Sequence, residues 1–127
     1  MNAYKILIAD DEPYVARVLK LVLQQEGYEV TCVNNGREAL DTFRILEPDI
    51  LVTDVKMPHM GGRKLVETIK GSDGNKEIPV VVMTSTLESE NRDWVSGVSN
   101  VSFLGKPVSP RELVRVVNGY FMQSKTS

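Results

Sequence analysis

The sequence predicts an α/β fold in which a parallel sheet is covered on both faces by helices. Five short apolar runs alternate with segments whose apolar residues recur at helical spacing. The runs are apolar almost throughout rather than at every second residue, which is typical of strands buried on both faces of a parallel sheet. The alternation of strands and helices implies right-handed crossovers. We therefore expect one domain, which agrees with a length of 127 residues.

Each strand is predicted from a short apolar run bounded by polar or turn-forming residues. The first run begins at Lys5 and stops before Asp10, and the third stops before Asp54. The fourth run ends in a hydroxyl pair, and the fifth ends in a lysine followed by a proline. In chain order the predicted strands are β1 (residues 5–9), β2 (29–33), β3 (49–53), β4 (78–83) and β5 (101–105).

The first two helices are predicted from apolar residues at helical spacing and from residues that begin or end helices. Helix α1 (residues 14–26) has Pro13 near its start and Gly27 just past its end. Helix α2 (37–46) is stopped by Pro48 before the third strand. The side chains expected to face the sheet are Val15, Val18, Leu19, Val22 and Leu23 of α1 and Ala39, Leu40 and Phe43 of α2.

Two later helices are also predicted from their spacing and end residues. Helix α3 (62–70) is separated from β4 by a polar loop (71–77). The last helix, α5 (111–122), has Ser109 as a predicted N-cap and Pro110 at its first position. Its sheet-facing residues are expected to be Leu113, Val116, Val117, Tyr120 and Phe121.

Helix α4 (89–96) is the weakest prediction, because the segment around it has low helix propensity. Its few large apolar anchors are Leu87, Trp94, Val95 and Val98. After α5, the polar residues 123–127 are expected to be a loose tail, so the predicted core of the single domain runs from about residue 4 to 122.

Composition and charge exclude several classes of function. A net charge of −2 and a pI near 5.4 provide no broad basic field for binding nucleic acid directly. The first residues lack a secretory signal, and no apolar stretch approaches the roughly 18 residues of a membrane span, so we expect neither export nor membrane insertion. The single Cys32 cannot form an internal disulfide and is predicted to be a buried reduced thiol. These observations favour a cytoplasmic protein.

Three acidic residues follow two of the apolar runs: Asp10 and Asp11 after β1, and Asp54 after β3. Side chains at the carboxyl ends of parallel strands open onto one crevice, so these carboxylates converge if the strands are neighbours. Two unit charges about 4 Å apart repel by roughly 4 kcal/mol at an effective dielectric near 20, so the cluster requires a protonated carboxyl or a bound cation. Hard oxygen ligands indicate Mg²⁺. A cation beside a carboxylate also allows it to attack phosphorus, which makes Asp54 a candidate phosphoryl acceptor.

Two further strand ends carry groups that suit phosphoryl transfer. The run of β4 ends in Thr84 and Ser85, and the run of β5 ends in Lys106 and Pro107. Catalysis of phosphoryl transfer is mostly positioning and charge stabilisation by a metal, a cation and hydrogen-bond donors. The three carboxylates, the threonine hydroxyl and the lysine ammonium together provide such a set.

The chain resembles a response-regulator receiver domain of the small, single-domain chemotaxis type used in two-component signalling. The matching residues are Asp10-Asp11, the segment from Asp54 to Pro58, Thr84, Phe103 and Lys106-Pro107, with Asn35-Gly36 as weaker support. The resemblance covers the chain from Tyr4 to about Met122. It implies a flavodoxin-like, doubly wound sheet of five parallel strands in the order 2-1-3-4-5 with five helices.

The resemblance also implies roles for individual residues. Asp11 and Asp54 would bind Mg²⁺ directly, Asp10 through water, and Lys56 through its backbone carbonyl. Asp54 would take a phosphoryl group from a phosphohistidine of a histidine kinase or phosphotransfer domain. Thr84 and Lys106 would then contact the phosphoryl oxygens. The protein would thus be a phosphoacceptor that catalyses its own phosphorylation and dephosphorylation, not an enzyme acting on a separate substrate.

Phosphorylation is expected to switch a partner-binding face. The added charge would pull Thr84 inward and vacate space into which Phe103 rotates. The altered face would consist of α4, β5 and α5, and Trp94 is expected to lie on it and to contact a downstream protein. In the family the lysine precedes a cis peptide bond, which Pro107 permits at low cost.

Several positions depart from the usual family pattern. Gly61 stands where the family commonly has aspartate, and the pair Gly61-Gly62 is expected to loosen the loop before α3. Lys56 and Thr86 occupy variable positions that in this family flank the phosphoryl group and tune its hydrolysis. Thr86 offers neither carboxylate nor amide to orient a water, so slow hydrolysis is expected.

Alternative interpretations remain beside the phosphorylated switch. The chain could be a receiver-like interaction module that binds without phosphorylation, although none of the expected site residues is missing. A haloacid-dehalogenase-like phosphatase would also use an aspartate nucleophile and Mg²⁺, but it needs a second aspartate where this chain has Lys56. The 127 residues could also be a receiver domain excised from a larger hybrid kinase or regulator.

Overall fold

A single parallel sheet organises the residues that the computed structural model describes, which are 3–72, 74–75, 77–85 and 100–126. Its strand order is β2-β1-β3-β4-β5 and every pairing is parallel. This confirms the predicted flavodoxin-like sheet. The strands are β1 (Lys5–Ala9), β2 (Glu29–Val33), β3 (Ile50–Asp54), β4 (Val80–Thr84) and β5 (Val101–Gly105).

Four of the five predicted helices fall within the described residues. They are α1 (Pro13–Gln25), α2 (Gly36–Leu46), α3 (Gly62–Lys70) and α5 (Pro110–Thr126). The range predicted for α4 lies outside the described residues, as do Thr86 and Trp94. Helix α5 continues four residues past its predicted end at Met122. No helix in the described part of the chain combines the length and the apolar character needed to cross a bilayer.

Alternating side chains of the strands build one apolar core on each face of the sheet. In β1, Ile6 and Ile8 join the core beneath α1 and α5, whereas Leu7 and Ala9 join the core beneath α2 and α3. All four side chains are fully buried. Burial on both faces explains why the strands are apolar throughout their length.

The ends of the helices agree with most of the residues that predicted them. Gly27, just past α1, has a φ of 95°, a conformation that glycine adopts at no steric cost. Ser109 Oγ accepts a hydrogen bond from the Glu112 amide at 3.3 Å, which confirms it as the N-cap of α5. Helix α2 ends one residue before Glu47, whose left-handed backbone turns the chain toward Pro48.

Two burial predictions need correction. Val18 was predicted to face the sheet, but it is 48% exposed. The buried line of α1 runs through Ala16, Leu19 and Leu23, and Val18 lies on a different side of the helix from that line. Cys32 is half-buried rather than buried; its thiol donates to the Ala16 carbonyl at 3.7 Å, and burial raises its pKa.

Candidate phosphoryl-acceptor site

The register of the sheet brings the polar strand ends together. The last paired residues of the neighbouring strands are Ala9–Thr53 in β1 and β3, Asp54–Met83 in β3 and β4, and Thr84–Gly105 in β4 and β5. Asp10 and Asp54 follow the pair Ala9–Thr53 and therefore stand opposite each other. Thr84 lies one residue past the partner of Asp54, and Lys106 lies one residue past the partner of Thr84. A backbone hydrogen bond of 2.8 Å from the Lys106 amide to the Thr84 carbonyl extends the pairing past the end of β5.

Asp54 and Lys106 form the central ion pair of this edge. The Lys106 Nζ lies 2.5 Å from Asp54 Oδ1. The Asp54 side chain is only 5% exposed and that of Lys106 is 21% exposed, so water screens the pair weakly. A buried carboxylate that remained unpaired would be strongly destabilising. Lys106 therefore supplies part of the positive charge that allows Asp54 to be ionised in the core.

Glu12 is a site residue that was missing from the sequence predictions. Its Oε1 lies 3.4 Å from Lys106 Nζ, although the side chain is 60% exposed. Glu12 occupies the N-cap position of α1 but makes no capping hydrogen bond with its side chain. The signal was present in the sequence, because Glu12 is the third acid in the run that follows β1. The sequence alone does not single it out, because a glutamate before a helix is common without any ligand.

The acidic residues at the ends of β1 and β3 fit a small divalent cation. One oxygen from each of Asp10, Asp11, Glu12 and Asp54 lies within 4.8 Å of the others. Oxygen ligands lie about 2.1 Å from such an ion, so two on opposite sides are about 4.2 Å apart. Asp10 Oδ2 is buried and has no hydrogen-bond partner; it is the one side-chain oxygen or nitrogen atom of which this is true among the described residues. An orphaned buried oxygen requires a ligand or water, and a hard cation satisfies it.

Burial and mutual repulsion raise the proton affinity of the buried carboxylates. Burial raises the pKa of Asp10 from its ordinary 3.8 to about 6, and the charge of Asp54 adds to the effect. The amide of Glu12 opposes it by donating to Asp10 Oδ1 at 2.8 Å. Burial likewise raises the pKa of Asp54, against the lowering effect of Lys106. Burial would lower the pKa of Lys106, but the hydrogen bond and charge of Asp54 raise it overall.

The other expected site residues lie close to this edge or outside the described residues. Thr84 is buried at the last position of β4. Phe103 is half-buried in β5 and packs against the core beneath α2 and α3. Lys56 lies in the loop after β3 with an exposed side chain. The peptide bond between Lys106 and Pro107 is cis, as the resemblance implied.

The glycine pair before α3 includes a close packing contact that the sequence analysis did not anticipate. Gly62 is buried, and a Cβ added there would lie 2.0 Å from the backbone oxygen of Asp54. Its amide donates to the Val55 carbonyl at 2.8 Å. Gly62 therefore packs directly on the backbone of the candidate acceptor, and no other residue type fits there without displacement.

Comparisons with known proteins agree with this geometry. The sequence model of one protein family, the response regulator receiver domain, matches residues 6–118 of this chain. An uncharacterized 14.6 kDa protein of Leptolyngbya boryana is 34% identical over 115 residues, which cover 91% of this chain and 88% of that protein. The DNA-binding response regulator MtrA of Mycolicibacterium smegmatis is 31% identical over 112 residues, or 87% of this chain. The matched region is 47% of MtrA, so the chain corresponds to about half of that regulator.

A solved structure provides an independent comparison. The chemotaxis response regulator CheY4 of Vibrio cholerae superposes with a TM-score of 0.84 at 28% identity, over 92% of this chain and 98% of CheY4. Sequence, sheet order and the convergence of acids and lysine at one edge thus agree. The chain belongs to the response regulator receiver domain family, the phosphoryl-accepting domains of two-component signalling.

Proposed function

We propose that this protein accepts a phosphoryl group on Asp54 from a phosphohistidine donor and that the reaction requires Mg²⁺. The observation that carries the proposal is the setting of Asp54. Its carboxylate is almost completely buried, 2.5 Å from the Lys106 ammonium and within reach of the carboxylates of Asp10 and Asp11. An ionised nucleophile, a fixed cation and candidate metal ligands are thereby held together.

The proposed transfer forms one bond and breaks one. An oxygen of the Asp54 carboxylate attacks phosphorus and forms the acyl phosphate. The bond between phosphorus and the donor's imidazole nitrogen breaks, and its electron pair remains on that nitrogen. Lys106 and Thr84 are expected to stabilise the charge on the phosphoryl oxygens through an ammonium and a hydroxyl. When bound, Mg²⁺ would neutralise phosphoryl oxygens that otherwise repel the carboxylate.

The residues proposed to hold Mg²⁺ are Asp10, Asp11 and Asp54, with the backbone carbonyl of Lys56. Glu12 supports the same cluster, since its carboxylate lies within 4.8 Å of theirs. We propose that Lys56 and Thr86 tune the later attack of water on the acyl phosphate, which returns the domain to its resting state. A phosphatase of the haloacid-dehalogenase type is disfavoured, because Lys56 occupies the position of its second aspartate.

The phosphohistidine partner is proposed to dock on a groove beside the site. The groove has a volume of about 530 Å³ and lies between the start of α1 and the connection from β5 to α5. Tyr14 and Val18 line it and are 84% and 48% exposed, respectively. Lys106, which pairs with Asp54, also lines this groove. A partner that delivers a phosphoryl group to Asp54 would therefore cover the groove. Exposed apolar side chains next to a reactive group are typical of protein contacts.

The output surface is proposed to be the face formed by α4, β5 and α5. Within the described residues, Ser102 of β5 and Tyr120 of α5 share a hydrogen bond of 2.5 Å between their hydroxyls. This bond links the strand that carries Phe103 to the last helix. A displacement of β5 that accompanies a change at Phe103 would therefore be transmitted to α5 through Ser102. Trp94, in the predicted α4, is proposed to contact the downstream protein.

The first prediction tests the acceptor. Acetyl phosphate should label the protein only when Mg²⁺ is present, and mass spectrometry should locate the acyl phosphate on Asp54. Asp54→Asn should abolish labelling, whereas Asp41→Asn, the same change on the exposed face of α2, should leave it intact. Asp11→Ala should weaken Mg²⁺ binding. Labelling of Asp54 that persists in excess chelator would refute the metal requirement.

The second prediction concerns how much the crowded carboxylates lower the stability of the fold when no metal is bound. Because the pKa of Asp10 is raised to about 6 in the folded state, the fold loses stability as pH rises from about 4 through 6. Asp10→Asn should therefore be more stable than wild type by about 2 to 3 kcal/mol near pH 7.5 in chelator, and nearly equal to it near pH 4. Urea denaturation measures the difference, with Asp41→Asn as the control. Equal stability at both pH values would show that Asp10 carries no such penalty.

The third prediction tests the docking groove. Val18→Lys should slow phosphoryl transfer from a phosphorylated histidine kinase by about tenfold, which corresponds to a binding loss of about 1.4 kcal/mol. Labelling by acetyl phosphate should stay within about twofold of wild type. Ile45→Lys, at an 86% exposed apolar side chain of α2, is the matched control and should transfer normally. If both variants transfer at the wild-type rate from a panel of kinases, the groove is not the docking site.

The fourth prediction tests the output face. Addition of Mg²⁺ and beryllofluoride, a mimic of the bound phosphoryl group, should change the fluorescence of Trp94, the only tryptophan. The change should disappear in Asp54→Asn. Trp94→Ala should weaken capture of a downstream protein without affecting phosphorylation of Asp54. An unchanged fluorescence spectrum in wild type that has bound beryllofluoride would place Trp94 outside the switched surface.

A further inference from the structure

The first turn of α2 packs closely against the backbone of the loop that follows Asp54. We call residues 55–61 the acceptor loop. Gly36, the first residue of α2, is buried, and a Cβ added there would lie 1.9 Å from the backbone oxygen of Met60 and 2.7 Å from its carbonyl carbon. Real Cβ atoms essentially never come closer than 3.0 Å to a heavy atom of a residue that is distant in the chain. Since the opposing atoms belong to the backbone, a side-chain rotation cannot relieve the contact.

The α2 side of this contact is firmly held. The Asn35 side chain caps the helix by accepting from the Glu38 amide at 2.8 Å, and the Asn35 carbonyl accepts from the Ala39 amide at 3.0 Å. Ala39 and Phe43 anchor the same helix in the core, with exposures of 0% and 5%. Met60 therefore rests against a fixed surface, and the position of α2 limits where the acceptor loop can lie.

The far end of the acceptor loop is held by a second glycine contact. The Gly62 backbone packs against the backbone oxygen of Asp54, and its amide donates to Val55 at 2.8 Å. Within the loop, the Met60 amide donates to the Pro58 carbonyl at 2.7 Å. The two ends of the loop are thus held together by the contact between Gly62 and Asp54, and α2 holds the loop at Met60. It contains Lys56, whose carbonyl is the proposed backbone ligand for Mg²⁺.

We propose that Gly36 is a positioning residue for the metal site: by lacking a side chain it lets α2 hold the acceptor loop where the Lys56 carbonyl can reach Mg²⁺. This inference rests on the proposed function, because it assumes that Mg²⁺ binds at the acidic cluster. It assigns a physical role to the Asn35-Gly36 pair, which the phosphoryl chemistry does not use. It also makes α2, which supplies no residue to the acidic cluster, a determinant of metal affinity.

The test compares the same change, glycine to alanine, at two positions. In Gly36→Ala the new Cβ must displace the acceptor loop or the start of α2, and the Mg²⁺ dissociation constant measured by isothermal titration calorimetry should rise about tenfold or more. The control is Gly119→Ala in α5, where a Cβ meets nothing within 4 Å, and its Mg²⁺ affinity should equal that of wild type. A folded Gly36→Ala protein that binds Mg²⁺ as tightly as wild type overturns the inference, even if its melting temperature is lower.

A measurement on the wild-type protein keeps the inference testable if Gly36→Ala does not fold. Amide hydrogen exchange is followed with and without Mg²⁺. Mg²⁺ should slow exchange at the Glu38 and Ala39 amides in the first turn of α2 as well as at the Met60 and Gly62 amides. Protection of the loop amides alone would refute coupling to α2. If wild type binds no Mg²⁺ in calorimetry, the proposed function fails and this inference fails with it. If wild type binds Mg²⁺ and Gly36→Ala binds it equally tightly, only this inference fails.

Discussion

The site depends on an electrostatic imbalance that the sheet itself creates. Parallel strands with a fixed register bring Asp10, Asp11 and Asp54 to one edge, and Glu12 adds a fourth carboxylate. Among these charges the ion pair of 2.5 Å between Lys106 and Asp54 neutralises one acid in a largely dry environment. The remaining repulsion raises the affinity of the edge for a proton or a divalent cation. In the function proposed above, a cation that enters this edge would relieve the repulsion and also prepare the edge for an incoming phosphoryl group.

Close backbone packing determines the shape of the site as much as its charge does. Gly36 packs against the acceptor loop at Met60, and Gly62 packs against Asp54 at the ends of the loop; at each glycine a Cβ would come within 2.0 Å of a backbone oxygen. A packed interface of this kind moves between discrete arrangements rather than deforming gradually. The acceptor loop is therefore held against α2 by a contact that tolerates little displacement. A hydrogen bond between the hydroxyls of Ser102 and Tyr120 joins β5 to α5.

Most of the fold could be predicted because its signals are local and repeated. The apolar runs, the capping residue Ser109 and the left-handed Gly27 each predicted an observed feature. The resemblance supplied the strand order, which local patterns do not contain. The prediction for Val18 was wrong, because neighbouring residues of a helix point in directions about 100° apart and the sequence does not settle which of them face the sheet. Ala16, Leu19 and Leu23 face the core, and this orientation of α1 leaves Val18 half-exposed.

The sequence by itself determined which chemical groups stand at the strand ends, because strand ends and polar residues are both visible in the linear order. Acids after β1 and β3, Thr84 in β4 and Lys106 after β5 were identified in this way. Only the tertiary structure decided that Glu12 reaches Lys106 and that Gly36 touches Met60. These contacts join residues that are 94 and 24 positions apart. Such pairs depend on how helices are seated on the sheet, which is determined by the packing of the whole core rather than by any local pattern.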